Sequence, residues 1–235
     1  MSSTVSAAEV ARFDALAAEW WDPDGPMRPL HRMNPARIGW IADRISRRFP
    51  DATAVRLLDV GCGAGLAAEA LARGGYDVLG LDAAADTIAA AEAHAAGQGL
   101  RLAYRAGAPE TLAAEGLRFP VVTALEVIEH VPDPAAFART LAALVQPGGL
   151  VFLSTLNRTA RSFLSAKVGA EYLLRWLPVG THDWRKFITP AELGRLLRQA
   201  GLRVTDVTGL VPDPLRGGWH TARDAGVNYL LAAEA

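Results

Sequence analysis

Residues 55–65 read Val55-Arg56-Leu57-Leu58-Asp59-Val60-Gly61-Cys62-Gly63-Ala64-Gly65. The first six form an apolar, strand-like run. Leu66-Ala67-Ala68-Glu69-Ala70-Leu71-Ala72 follows at once and favours a helix. A second apolar run, Asp77-Val78-Leu79-Gly80-Leu81, ends on Asp82. Strand, glycine turn, helix, strand and acid make the layout of a nucleotide-binding crossover unit. Glycines permit a tight turn and let a ligand approach the backbone. Asp82 offers a carboxylate to two ribose hydroxyls.

Two registers fit the turn. From Gly63 the run Gly63-Ala64-Gly65-Leu66-Ala67-Ala68 matches the dinucleotide pattern G-x-G-x-x-A. From Asp59 it reads D-x-G-x-G-x-G, the form seen in S-adenosylmethionine enzymes. Gly61, not Gly63, stands at the strand end, and Asp59 lies where a carboxylate meets the loop or a ligand amine. A dinucleotide pyrophosphate carries two negative charges that this acid would repel, whereas S-adenosyl-L-methionine has no phosphate. Asp59, Gly61, Gly63, Gly65 and Asp82 are therefore the expected donor-binding residues. For Asp82 alone, helix capping after a strand would be the plainer reading.

Outward from this unit, strand-like runs are expected at 55–60, 77–82, 100–105, 120–125, 150–155, 202–208 and 227–233. Helices are expected at 66–74, 84–96, 133–144 and 190–200. Asp133 and Pro134 mark one helix start, and Gly148-Gly149 and Gly201 read as helix-ending glycines. Residues 5–19 have helical spacing, and Asn34 with Pro35 suggests a capped helix running to about Phe49. Regular alternation means a mostly parallel sheet covered on both faces. Hydrophobic residues make up 51% of the 235 residues, enough for a full core. The net charge of −1 gives no overall attraction to nucleic acid, and none is expected as a partner. A single cysteine, Cys62, excludes an internal disulfide framework or a cysteine-cluster metal site. No secretion signal and no apolar run near ~20 residues is visible, so a cytoplasmic protein is expected.

The segment 157–184 interrupts the alternation. Leu164, Val168, Tyr172 and Trp176 recur at four-residue spacing, and Arg158, Arg161, Lys167, Arg175, Arg185 and Lys186 face only Glu171 and Asp183 nearby. This basic amphipathic stretch reads either as a lid on its own sheet or as a contact with an anionic membrane surface.

These blocks carry a resemblance. The chain resembles class I S-adenosylmethionine-dependent methyltransferases, and more closely the ubiquinone-biosynthesis O-methyltransferases. It does so through the double tryptophan Trp20-Trp21, the run Pro29-Leu30-His31-Arg32-Met33-Asn34-Pro35-Ala36-Arg37 and the glycine turn. Further along come Glu126-Val127-Ile128-Glu129-His130-Val131-Pro132-Asp133-Pro134, Ser154-Thr155-Leu156-Asn157-Arg158, Val168-Gly169-Ala170-Glu171-Tyr172, Gly180-Thr181-His182-Asp183 and Val227-Asn228-Tyr229. The resemblance implies an α/β, Rossmann-like class I methyltransferase fold: a mostly parallel seven-stranded sheet with helices on both faces. A single domain, 1–235, is expected, with an N-terminal helical cover (1–50), a cofactor-binding core (51–156), a basic amphipathic insertion or lid (157–186) and the rest of the sheet (187–235). It implies methylation of phenolic oxygens of polyprenyl catechols and of demethylubiquinol. It also leaves room for a ubiquinone-biosynthesis complex and for peripheral contact with the inner face of the membrane. Donor contacts carried over are Arg37, Gly61, Asp82 and Leu125. Leu125 stands where the family commonly has methionine, and Arg105-Ala106-Gly107-Ala108-Pro109-Glu110 lacks the early acid that often reads the adenine amine.

The chemistry is expected after the fourth strand, where ligands of an open α/β sheet bind. A phenol with pKa ~10 needs about 4 kcal/mol to ionise at neutral pH. Glu126, Glu129 and His130 are close enough in sequence to face one site. They suit a general base, with His130 the default acceptor, or a divalent-ion site for a chelating catechol, and relatives are described as using Mg2+ at the matching residues. The plainer alternative leaves Glu126 as a loop residue and His130 as packing. Arg37 suits the donor's carboxylate, and Asn157, His182 and Asp183 are candidates for the aromatic pocket. Rival readings are a methyltransferase with another small-molecule acceptor, a nicotinamide-dependent oxidoreductase and a non-catalytic binding protein.

Overall fold

The opening stretch folds as strand, turn, helix and strand: β1 (Arg56–Val60), α3 (Leu66–Arg73) and β2 (Asp77–Asp82). The computed structural model describes residues 4–51, 54–163, 184–213 and 217–235. Before β1 come α1 (Ala7–Asp14), a 3-10 turn (Ala17–Glu19) and α2 (Arg28–Arg48). After β2 the alternation continues with α4 (Ala85–Ala95), β3 (Leu102–Ala106), α5 (Pro109–Ala114), β4 (Phe119–Leu125), α6 (Pro134–Leu144) and β5 (Val145–Leu156). A single turn α7 (Ala160–Ser162), then α8 (Pro190–Gln199), β6 (Arg203–Asp213), β7 (Gly218–Ala222) and β8 (Asn228–Glu234) complete the described elements.

The sheet order is β3-β2-β1-β4-β5-β8-β6-β7. The pairs from β3 through β5 are parallel, and β8 runs antiparallel to both β5 and β6. Side chains alternate across it and feed two cores. On one face Leu57, Val121, Phe152 and Leu230 pack under Trp40, Ile41 and Ile45 of α2 and Leu71 of α3. On the other, Leu58, Val122, Leu153 and Leu231 meet Phe137 and Leu141 of α6 and Leu197 of α8. Burial on both faces explains why these strands read as continuous apolar runs.

Among the described residues the sheet has eight strands rather than the expected seven. β7 pairs antiparallel with β6 at the edge, and its half-exposed Gly-Trp-His-Thr-Ala lacks an apolar period. Gly148 and Gly149 do not end a helix; they lie inside β5. A Cβ on Gly149 would sit 2.6 Å from the Pro120 carbonyl oxygen, and the β4–β5 register shifts there, so the glycines form a kink in the strand. Asn34 caps nothing: α2 begins a turn and a half earlier, with Pro29 in its first turn and Pro35 inside it. Buried Asn34 instead donates from Nδ2 to the Leu66 carbonyl at 2.9 Å, tying α2 to α3. α4 also lacks a cap of its own; Asp14 of the N-terminal cover accepts from the Asp86 and Thr87 amides, both at 3.1 Å. The amphipathic stretch at 164–183, with His182 and Asp183, lies outside the described residues. Among those described, no helix is long and apolar enough to cross a membrane.

Two glycines make opposite tests of this packing. Gly39 stands inside α2 with open space where a Cβ would go, so Gly39→Ala should raise stability by about 0.5–1 kcal/mol. At Gly209 of β6 a Cβ would lie 1.8 Å from the Asp224 backbone oxygen, so Gly209→Ala should cost about 1–3 kcal/mol or more. Urea unfolding of both variants checks the signs.

Candidate active site

The turn after β1 is left-handed at each glycine: Gly61, Gly63 and Gly65 have φ of 69°, 54° and 89°. Space as well as dihedral demands glycine here. A Cβ would fall 2.5 Å from Val127 at Gly61, 2.2 Å from the Trp20 indole at Gly63 and 2.0 Å from the Tyr104 hydroxyl at Gly65. Trp21 closes the same region by donating its indole N–H to the Ala64 carbonyl at 2.9 Å and stacking on His94 at 3.4 Å between ring centroids. The double tryptophan therefore anchors the N-terminal cover onto the turn.

Asp59 at the end of β1 is buried, and Oδ1 accepts from the Thr123 hydroxyl at 2.6 Å. Its Oδ2 is buried with no partner among the described residues. Burial pushes its pKa up to about 6, against the opposing pull of the Thr123 hydrogen bond and the Arg37 charge. Arg37 reaches the same place from α2. It donates from Nη2 to Asn34 Oδ1 at 3.0 Å, while its buried Nε has no partner among the described residues. Burial lowers its pKa; the charges of Glu126 and Asp59 oppose that. A cationic donor and an acidic acceptor thus stand together, each with one buried atom unused. Asp82, expected to hold ribose hydroxyls, accepts from the Gly63 amide through Oδ2 and from the Ala84 amide through Oδ1, both at 2.9 Å. Burial raises its pKa. Leu125 is buried in the core beneath α2.

Beyond β4 the backbone turns sharply. Glu126 has φ 58°, and among the described residues no other non-glycine has a positive φ. That conformation costs about 1–2 kcal/mol and is held on both sides. The Glu126 amide donates to the Ser154 carbonyl at 2.9 Å, and the Ser154 hydroxyl donates to Glu126 Oε1 at 2.6 Å. Glu129, in the 3-10 turn Ile128–His130, is buried and accepts from the Thr155 hydroxyl at 2.8 Å. Burial, reinforced by the nearby Glu126 charge, pushes its pKa up to about 8.

Glu126, Glu129 and His130, expected to face one site, each have a different partner. Ser154 and Thr155, consecutive on β5, each donate to one of the two carboxylates, which remain near enough for the Glu126 charge to help raise the Glu129 pKa. His130 turns Nδ1 towards α1, 3.2 Å from Glu9 Oε2. Among the described residues no group of three His, Cys, Asp or Glu side chains is arranged to hold a metal ion.

Asn157 donates from Nδ2 to the Ala225 carbonyl at 2.8 Å, and its buried Oδ1 has no partner among the described residues. Asn228 is buried with an equally unpartnered Oδ1. Reading the sequence missed Glu9, Asn34, Thr123 and Asn228. Only Asn34 and Asn228 sat in blocks that had attracted notice, and no local spacing links Glu9 to His130.

Comparison with known proteins narrows the chemistry. A methyltransferase-domain family model matches residues 31–207. The ubiquinone biosynthesis O-methyltransferase of Methylobacterium nodulans is 54% identical over 233 residues, covering 96% of this chain and 94% of that protein. That of Azorhizobium caulinodans is 51% identical over 240 residues, covering 99% and 95%. Among solved structures, magnesium protoporphyrin IX methyltransferase from Synechocystis PCC 6803 with bound SAH matches at TM-score 0.65 and 17% identity, covering 95% of this chain and 94% of that one. At that identity the likeness concerns the fold alone.

The raised acids make stability depend on pH. Folded Asp59 and Glu129 keep protons up to about 6 and about 8 respectively, while an unfolded carboxyl releases its proton near pH ~4. Their contribution is thus full below pH ~4 and is lost as pH rises through those folded values. The donor-free protein should show Tm falling from about pH 4 to about pH 8 and levelling above that, with Glu129 alone acting beyond about pH 6. Glu129→Gln, which keeps an acceptor for Thr155 but cannot ionise, should flatten the upper part of that fall. An identical slope in the variant would assign the effect to other groups.

Proposed function

The chain belongs to the ubiquinone-biosynthesis O-methyltransferases, and we propose that it methylates a phenolic oxygen of a polyprenyl catechol or quinol at the cleft between the glycine turn, α2 and the turn after β4. It is an S-adenosylmethionine-dependent O-methyltransferase with a Rossmann-like fold, acting on a quinol-type substrate. The finer assignment to both an early polyprenyl catechol and demethylubiquinol is part of the proposal.

The observation that carries the site reading is the pair of unused buried atoms, Arg37 Nε and Asp59 Oδ2. A guanidinium suits a carboxylate and a carboxylate suits an ammonium, so the pair complements the amino-acid end of the donor. Left without a partner, each would cost about 1–3 kcal/mol. Gly61, Gly63 and Gly65 keep the backbone open to close approach, and Asp82 is suited to the ribose hydroxyls through its remaining lone pairs. Leu125 offers an apolar wall. When bound, the donor supplies an activated methyl on its sulfonium.

What the protein must add is placement of the phenol and removal of its proton. Glu129 keeps its own proton at neutral pH and is a poor acceptor there. Glu126 is held by Ser154. That leaves His130, a neutral imidazole being the usual acceptor near pH 7. Asn157 and Asn228 offer amide oxygens to the acceptor's second hydroxyl. Within the basic stretch 157–184, Arg158 and Arg161 already pair with Glu192 and Asp224, so the assignment to an anionic membrane surface that would hold a polyprenyl tail near the site falls on 164–183, which lie outside the described residues.

Methyl transfer from S-adenosylmethionine to a short-tailed catechol tests the reading. His130→Ala should lower kcat by about 10²–10⁴ while leaving donor affinity by calorimetry unchanged; wild-type turnover would remove His130 from the reaction. Repeating the assay with a chelator separates the two routes to the phenolate. Full activity leaves proton removal to a protein base; loss reversed by Mg2+ assigns a divalent ion to Glu126, Glu129 and His130. Co-sedimentation with anionic liposomes should be strong at low salt and weaken as salt rises, and absence of low-salt binding would end the membrane assignment.

A further inference from the structure

The N-terminal helix reaches His130 with two side chains from one of its faces. Glu9 and Phe13 are four residues apart on α1, which places them on the same side of the helix. Glu9 Oε2 lies 3.2 Å from His130 Nδ1, and the Phe13 ring meets the imidazole edge-on, at 5.4 Å between centroids and 87° between planes. The Glu9 carboxylate is flanked by two cations, Arg12 and Lys186, each at 3.6 Å. The carboxylate is partly buried, and Oε2 accepts no hydrogen bond from any other group among the described residues.

We propose that Glu9 is a positioning residue for the methyl transfer: its carboxylate accepts a hydrogen bond from the Nδ1–H of His130 and so sets the tautomer in which Nε2 is the basic nitrogen. A neutral imidazole carries one N–H and one lone pair, and the partner of one nitrogen decides which is which. A carboxylate is acceptor-only when ionised, so it selects the tautomer protonated on the nitrogen it faces. Phe13 fixes the plane of the ring while Glu9 fixes its protons. The consequence is that α1, which contributes no fully buried residue to the core, completes the site. The inference rests on His130 being the proton acceptor proposed above.

The test is Glu9→Gln in the full chain, with Glu9→Asp as the conservative variant. Glu9→Gln should lower kcat about tenfold or more, leave calorimetric donor affinity unchanged and be partly rescued in Glu9→Asp. Imidazole ¹⁵N shifts of His130, recorded where the ring is neutral, should move from the Nδ1-protonated pattern towards a mixture in Glu9→Gln. That readout does not depend on turnover. If His130→Ala is impaired but Glu9→Gln turns over like wild type, the positioning role is overturned and the base assignment stands. An unchanged ¹⁵N pattern in Glu9→Gln likewise overturns it, and wild-type turnover in His130→Ala instead removes the base assignment on which it rests.

Discussion

Three Cα positions in the turn after β1 carry only hydrogen, and the molecule closes on all three of them. Val127 arrives at Gly61 from the turn after β4, Trp20 at Gly63 from the N-terminal cover, and Tyr104 at Gly65 from β3. Three distant parts of the chain thus use the turn as a common stop. Any side chain there would push back the acceptor turn, the cover or the sheet edge. The same closeness sets Asp59 and Arg37 in a buried, low-dielectric place, where each unused polar atom is costly until a ligand meets it.

Much of the sheet was legible because its strands are buried on both faces and its helices lie between them. The central runs 55–60, 77–82 and 120–125 needed only their apolar content and a turn signal. What escaped was set by tertiary contact. The β7 strand exists because β6 offers it an edge. The first turn of α2 depends on Pro29 in a stretch whose loop-like composition hid it, and Asn34 satisfies Leu66 and Arg37 rather than a helix end. Gly148-Gly149 looks like any helix stop until the Pro120 backbone is seen beside it.

The site divides the same way. The donor half follows from spacing in one stretch, because a strand, a turn and a strand end are fixed by local geometry. The acceptor half does not. Glu126, Glu129 and His130 are near neighbours in sequence, yet their partners come from elsewhere: consecutive hydroxyls of β5 hold the two carboxylates, and Glu9 of α1 meets the imidazole. Sequence proximity measures distance along the chain, while the direction of each side chain belongs to the strand beside it. Asn157 and Asn228 were likewise visible as residues but not as unpartnered oxygens.

β8 lies between β5 and β6 although it follows both in the chain. In synthesis from the N-terminus, the β6–β7 hairpin emerges with no strand to join it to the rest. The parallel half, β1 to β5, can assemble early, but it keeps an open edge at β5 until residues 228–234 arrive. Asn228 and Tyr229 arrive with them. A nascent chain therefore acquires its donor side before its acceptor side, and its sheet remains open to wrong partners until the last strand slots into the middle.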